Sequence, residues 1–187
     1  MPALPQLYPY KSGLIEPVVM PGEIAGLYVN KTYYFYKILY IEGIPRSDPL
    51  VVDIGALAAG ATSAMTQLTL LEMPDKEFGQ FRMFVLDDIA ANLWQGRSDG
   101  RARLSNRVGR VTRFTDMRDP DGHTTEFYVH EDDYAFVQVL NPTGYALTQT
   151  RVGFFGFRYV LELDERYDYK KGTVPEQWSR IPCSAHL

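Results

Sequence analysis

Late in the chain runs a segment that few folds accommodate: Val152-Gly-Phe-Phe-Gly-Phe-Arg-Tyr-Val-Leu-Glu-Leu163. Aromatic and β-branched residues suit a pleated, packed surface, and successive side chains of a strand point to opposite faces. That period puts Phe155, Phe157, Tyr159, Leu161 and Leu163 in phase on one core-forming face. Gly153 and Gly156 interrupt the run where a bulge or a closely packed neighbour leaves no room for a side chain. Upstream lies Tyr134-Ala-Phe-Val-Gln-Val-Leu140, then the turn residues Asn141-Pro-Thr-Gly144. The whole stretch from Asp133 to Leu163 is therefore expected to form a β-hairpin.

The rest of the chain repeats this grammar. Lys31 to Ile41 has the length and β-propensity of a strand apolar on both faces, ended by Pro45 and Ser47-Asp-Pro49. Leu50 to Leu57 reads as a short strand followed by a turn over Ala58 to Thr62. Met65 to Met73 and Phe78 to Leu86 flank Pro74-Asp-Lys-Glu77 as a second hairpin, with Gly79, Phe81, Met83 and Val85 facing inward. Asp87-Asp88 leads into Ile89 to Trp94, which suits one capped helical turn or a loop packed on the core. Gln95 to Gly109 is a polar loop. Arg110 to Thr115 and Phe127 to Val129 are further strands, with a turn at Asp119-Pro-Asp-Gly122 between them. About eight short strands, turns roughly every ten residues and no helical periodicity predict an all-β protein: an antiparallel β-sandwich or jelly-roll-like core.

Both ends differ from this core. Residues 1–23 hold Pro2, Pro5, Pro9, Pro17 and Pro21, five of the chain's twelve prolines. Proline fixes φ and lacks an amide hydrogen, so neither helix nor central strand is expected. Leu4, Leu7, Tyr8, Tyr10, Leu14, Ile15, Val18 and Val19 supply more apolar anchors than a solvated tail carries. The division expected is an extended N-terminal arm over 1–23, a β-sandwich domain over 24–164 and a C-terminal tail over 165–187, with the arm laid on a neighbouring subunit. Trp178 is the corresponding anchor in the tail.

Composition narrows the function classes. A formal net charge of −4 gives no global electrostatic case for nucleic-acid or membrane binding. Cys183 is the single cysteine, so neither an intrachain disulfide nor a cysteine-rich zinc site is expected. Met1-Pro-Ala-Leu-Pro lacks the basic and apolar regions of a secretory signal. Leu50 to Met65, the most apolar stretch, contains Asp53 and several glycine and serine residues, so it is not a membrane span.

Two charged stretches stand out. Arg97, Arg101, Arg103, Arg107, Arg110 and Arg113 lie within seventeen residues, opposed by Asp99 alone. Such a loop suits phosphates or a carboxylate-rich partner; stacking of bases needs aromatic rings, and the loop has none. The acidic stretch holds Asp116, Asp119, Asp121, His123, Glu126, His130, Glu131, Asp132 and Asp133. Its Asp119-Pro-Asp-Gly start resembles a calcium loop, but the twelfth position is His130 where glutamate is required. His123 and His130 lack helical spacing, and only tertiary contact would join them at a metal. No Gly-x-Ser-x-Gly elbow, Gly-x-Gly-x-x-Gly or phosphate-binding loop occurs. The expectation is a protein without catalytic residues, metal or cofactor.

From Leu50 to Leu163 the layout resembles that of tailed-bacteriophage virion structural proteins of the head- or neck-associated β-sandwich type. The residues carrying the resemblance are Leu57-Ala-Ala-Gly-Ala-Thr-Ser63 and Pro74-Asp-Lys-Glu-Phe78, each before a strand. The Asp87-Asp88 turn, Leu93-Trp-Gln95 and the closing Gly153-Phe-Phe-Gly-Phe-Arg-Tyr159 complete it. It implies a non-enzymatic particle component, either a capsid-associated decoration or cement protein or a head–tail neck protein. Such a protein would be assembled in the host cytoplasm, homo-oligomeric, and in contact with neighbouring virion proteins. The residues expected at its interfaces are Leu4, Leu7, Tyr8, Tyr10, Arg97, Arg101, Arg103, Arg107 and Trp178. A carbohydrate- or ligand-binding β-sandwich module, with Trp94, Trp178 and exposed tyrosines as stacking platforms, is the alternative.

Overall fold

The computed structural model describes residues 17–29, 32–97, 106–111, 126–131, 133–163 and 178–180. For 27–29, 32–35, 97, 106–111, 163 and 178–180 it describes the backbone alone. Described strands are β1 (Ile24–Val29), β2 (Thr32–Ile44), β3 (Leu50–Asp53), β4 (Thr66–Gln67), β5 (Glu77–Val85) and β6 (Ala90–Arg97). They continue as β7 (Asn106–Val111), β8 (Glu126–His130), β9 (Asp133–Leu140), β10 (Arg151–Leu163) and β11 (Trp178–Arg180). Eight of them span five residues or more, and β3, β4 and β11 are shorter. β1 and β6 are strands where none is expected, while the expected strands Leu50 to Leu57 and Met65 to Met73 shrink to β3 and β4. The one described helical element is a 3-10 turn at Thr69–Leu71.

Two sheets form a sandwich-like all-β core. The larger runs β11-β1-β2-β10-β5-β8, with β3 also paired to β10; the smaller runs β4-β9-β6-β7. All pairings are antiparallel except β1 with β11. Strand β10 is the axis of the large sheet. Along one edge it pairs with β5, and along the other with β2 and then β3. β2 ends with Ile44 opposite Gly156, and β3 begins with Leu50 opposite Phe154. Between them Pro45 and Pro49 cannot donate to a ladder, so the chain leaves the sheet and returns.

Both faces of this sheet are buried. Toward the small sheet, Phe81, Met83, Val85, Phe127, Val129, Val152 and Phe154 meet Ala91, Leu93, Ala135, Val137 and Val139. On the outer face, Tyr36, Ile38, Ile41, Phe78, Phe84, Phe155, Phe157, Tyr159 and Leu161 form a second core with Val19. The aromatic phase expected of β10 holds through Leu161; the side chain of Leu163 lies outside the description. Phe78 stacks on Tyr159 with ring centroids 4.2 Å apart. Gly153 sits beneath the Phe84 ring, where a Cβ would approach to 2.6 Å. Gly156, at φ +147°, lies against the backbone of Gln80, and a Cβ there would stand 2.0 Å from its carbonyl oxygen.

Several expectations are corrected by this topology. Strands β9 and β10 do not form a hairpin, because they belong to different sheets. The segment between them pairs with an earlier loop instead. Buried Asn141 donates through Nδ2 to the carbonyls of Leu57, Ala58 and Tyr145, and Leu57 bridges Leu147. Likewise β4 and β5 lie in different sheets, and buried Leu68, Leu71 and Met73 carry the chain across the core between them. Ile89 to Trp94 is strand, not a capped turn, and the Asp87 carboxylate is taken by the Arg151 amide and guanidinium. The polar loop is shorter than expected, because residues 95–97 and 106–109 are ladder residues of β6 and β7.

The core also takes in residues before 24, which the sequence assigns to the arm. Val19 is buried in the second core of its own chain, and the Val18 amide donates to Tyr159 Oη at 2.9 Å and to Gln80 Oε1 at 3.2 Å. At the other end, residues 178–180 are not a free tail but add to the edge of β1.

Candidate functional site

Two groups of polar side chains on the sheets stand out among the described residues. The first lies on the outer face of the large sheet, over β5 and β8. Their register sets Gln80 opposite Tyr128 and Arg82 opposite Glu126. Glu126 Oε1 accepts from Tyr128 Oη at 2.5 Å and from Gln80 Nε2 at 3.2 Å; its Oε2 accepts from Arg82 Nη2 at 3.4 Å. Gln80 in turn accepts from the Tyr159 hydroxyl and the Val18 amide. Burial, then the hydrogen bond and charge of Glu126, push the Tyr128 hydroxyl well above the ordinary tyrosine value. A carboxylate with three donors is a structural acceptor rather than a free base. This group seats the N-terminal segment on the sheet.

The second group is the outer face of the small sheet. β9 alternates strictly: Asp133, Ala135, Val137 and Val139 point inward and are buried, whereas Tyr134, Phe136, Gln138 and Leu140 are half-buried on the other side. β6 has Ala91 and Leu93 inside, which leaves Asn92 and Trp94 outside, both half-buried. Cross-strand register sets Trp94 opposite Phe136, Asn92 opposite Gln138, and Gly96 opposite Tyr134. Directly opposed residues of an antiparallel pair are neighbours on one face. Three rings and two amides therefore share a surface, with bare backbone at Gly96 beside Tyr134.

On its far side β6 pairs with β7, whose register sets Arg107 opposite Trp94 and Arg110 opposite Asn92. A register shift between Leu93 and Trp94 brings both arginines, three positions apart in sequence, to these two outward residues. Trp94 Nε1 and Asn92 Oδ1 are each shielded from solvent with no hydrogen-bond partner among the described residues.

Sequence-predicted residues distribute unevenly over this arrangement. Arg97 and Arg107 lie on strands; the register pairs Arg97 with Asp133 of β9. Trp178 begins β11, beside Ile24. Leu4, Leu7, Tyr8, Tyr10, Arg101, Arg103 and His123 lie outside the described residues. His130 is buried, with its amide donating to Asp133 Oδ2 at 3.1 Å. Among the described residues no group of three or more His, Cys, Asp or Glu is placed to hold a metal ion. Phe136, Tyr134, Asn92 and Gln138 were not singled out by sequence reasoning. No local signal marks them: along Tyr134-Ala-Phe-Val-Gln-Val-Leu140 both faces carry apolar residues, so the period does not choose the outer one.

Comparison of the chain with protein families, with curated proteins and with solved structures finds no match in any of the three.

Proposed function

We propose that this chain is a non-enzymatic structural component of a tailed-bacteriophage particle. It would serve as a capsid-associated decoration or cement protein or as a head–tail neck protein, assembling through its terminal segments and its arginine-rich hairpin. The resemblance over Leu50 to Leu163 supports the particle. The observation that carries assembly is where the chain ends go. Val18 and Val19 are seated on the outer face of the large sheet by burial and two hydrogen bonds, and β11 extends that sheet's edge in parallel. End segments that complete a sheet are the elements through which identical copies interlock at low cost, since the same contacts serve within or between chains. The polar groups over β5 and β8 fit this reading, because they hold the Val18–Val19 segment on the sheet.

The test is solution mass. Because Val18 and Val19 belong to the core, the informative deletion removes residues 1–16 and keeps the seat. The full chain is expected to form a defined oligomer by light scattering. The shortened chain is expected to remain folded by circular dichroism and to run as a monomer. An unchanged oligomer after this deletion overturns assembly through the arm.

A further inference from the structure

We propose that one end of the sandwich, built from residues 54–64 after β3 and 141–150 between β9 and β10, is a contact surface for the same end of a second copy of the chain. This rests on the assembly reading and deepens it: the terminal segments join copies, and this end is where joined copies meet. The first observation is a gap in charge. Residues 54–71 and 141–150 include no Asp, Glu, Lys, Arg or His, in a chain whose residues are 22% charged. Charged side chains are normally the exposed ones, and their depletion is the compositional mark of an interface core.

The fold brings the two runs together and leaves them open to solvent. The Ile54 amide donates to the Thr150 carbonyl at 2.8 Å, and Leu57 and Leu147 exchange backbone bonds at 3.0 and 2.9 Å. Asn141 Nδ2 holds the carbonyls of Ala58 and Tyr145 at 3.0 and 2.8 Å, so these two residues are adjacent. Tyr145 is 57% exposed, the most open of the large hydrophobic side chains described. Ala58, Ala59 and Gly60 beside it are exposed too. They form a turn in which the Ala61 amide donates to the Ala58 carbonyl at 3.0 Å and Gly60 takes φ +70°. A protruding ring therefore stands next to a floor of small residues, and loops held by this many bonds lose little freedom on binding. The charges at the border are engaged within the chain. Asp53 accepts from the Gly55 amide and Gln149 Nε2, and Asp87 accepts from Arg151.

Charge and shape together select the occupant. Copies that each carry a net −4 repel one another, and least where they meet through a surface without charge. The same surface has no cation to offer a phosphate backbone or an anionic lipid. A two-fold contact requires a patch that complements itself. Here Tyr145 of one copy fits the 58–60 turn of the other, and the reciprocal contact forms with it. One ring per copy makes a weak contact alone, so it acts at the raised effective concentration that the terminal segments create.

The test is cross-linking of the full chain by a short bis-maleimide, in a Cys183→Ser background with one cysteine introduced. Ala59→Cys is expected to give covalent dimers about tenfold faster, or more, than Asp75→Cys. Asp75 is exposed in the turn before β5, at the other end of that strand. Adding Tyr145→Glu removes the ring and sets like charges across the contact, and should bring the rate at position 59 down to that at 75. Tyr145→Phe should keep the fast rate, and raised salt should leave it unchanged, since no ion pair is involved. If Tyr145→Glu unfolds the chain by circular dichroism, Tyr145→Ala reads the loss of the ring alone. Equal rates at 59 and 75 overturn the proposal, as does a rate at 59 indifferent to residue 145. Protection of position 59 by a neutral glucan overturns it in favour of a glycan. A defined oligomer with equal rates ends this proposal and leaves the arm standing. An oligomer that survives loss of residues 1–16 ends the arm reading instead.

Discussion

Strands β9 and β10 follow one another in the chain and bury their residues by different rules. In β10 nearly every residue from Val152 to Leu161 is inaccessible, with Phe154 in one core and Phe155, Phe157 and Tyr159 in the other. In β9 burial alternates without exception, so Ala135, Val137 and Val139 are inside while Tyr134 and Phe136 stay half-buried. Both strands are rich in aromatic residues. What differs is the number of layers that cover them. A ring on β10 is fully enclosed; a ring on the outer face of the small sheet keeps part of its surface exposed. Aromatic content by itself distinguishes neither.

The sharpest way to break this comparison is at Gly156. Its positive φ and its contact with the Gln80 carbonyl mean that Gly156→Ala combines backbone strain with overpacking between β10 and β5. A loss of about 4 kcal/mol or more is expected in urea titrations. Gly153→Ala meets only the Phe84 ring, which can turn, and should cost less, about 1–3 kcal/mol. Equal costs would mean that the two glycines serve one packing role.

A matched pair of ring deletions tests the layers directly. Phe155→Ala is expected to cost about 3–5 kcal/mol, as for a fully buried ring. Phe136→Ala is expected to cost less, about 1 kcal/mol, because its ring is only half-buried. Comparable losses would show that the outer face of the small sheet is core.

The polar seat on the large sheet is probed by alkali. Tyr128 has its hydroxyl value raised in the fold by burial and by Glu126, so the folded state favours the neutral phenol. The sign follows: its contribution is complete below the unfolded tyrosine value near 10 and is lost as pH rises through the higher folded value. Tyr128→Phe should cost about 1–2 kcal/mol at about pH 8, where a hydrogen bond to a carboxylate is removed. It should also flatten the loss of stability as pH rises above about 10. Parallel pH profiles for the two chains would contradict this. The smallest effect is expected at Arg151, whose guanidinium, held above its ordinary value by Asp87, is 36% exposed. Arg151→Ala should cost about 1 kcal/mol or less and lose part of that in high salt, measured by the shift in urea midpoint.

Much of this was legible before the fold was known. The class, most of the longer strands, the inward set on β5 and the in-phase rings of β10 follow from local period and propensity, whereas β1 and β6 do not. The two hairpins did not survive. Asn141-Pro-Thr-Gly144 carries the composition of a hairpin turn. Yet Asn141 spends its amide on Leu57, Ala58 and Tyr145, and those contacts come from more than eighty residues away in two of three cases. The candidate face was half legible: the arginines were visible, but the rings that accompany them lie on separate strands, β6 and β9.

The period of a strand reports how many of its faces are buried, because that is set by side chains one residue at a time. It put the rings of β10 in phase on one core-forming face, and it placed glycine where two backbones close on one another. Which strand lies beside which is a different quantity. It depends on how the two sheets close over a shared interior: buried Gln95 of β6 donates to the Tyr128 carbonyl of β8 at 2.7 Å, tying one sheet to the other. Long-range pairing of that kind leaves no local mark in the chain. Tertiary structure alone brought Trp94, Phe136 and the register positions of Arg107 and Arg110 onto one surface.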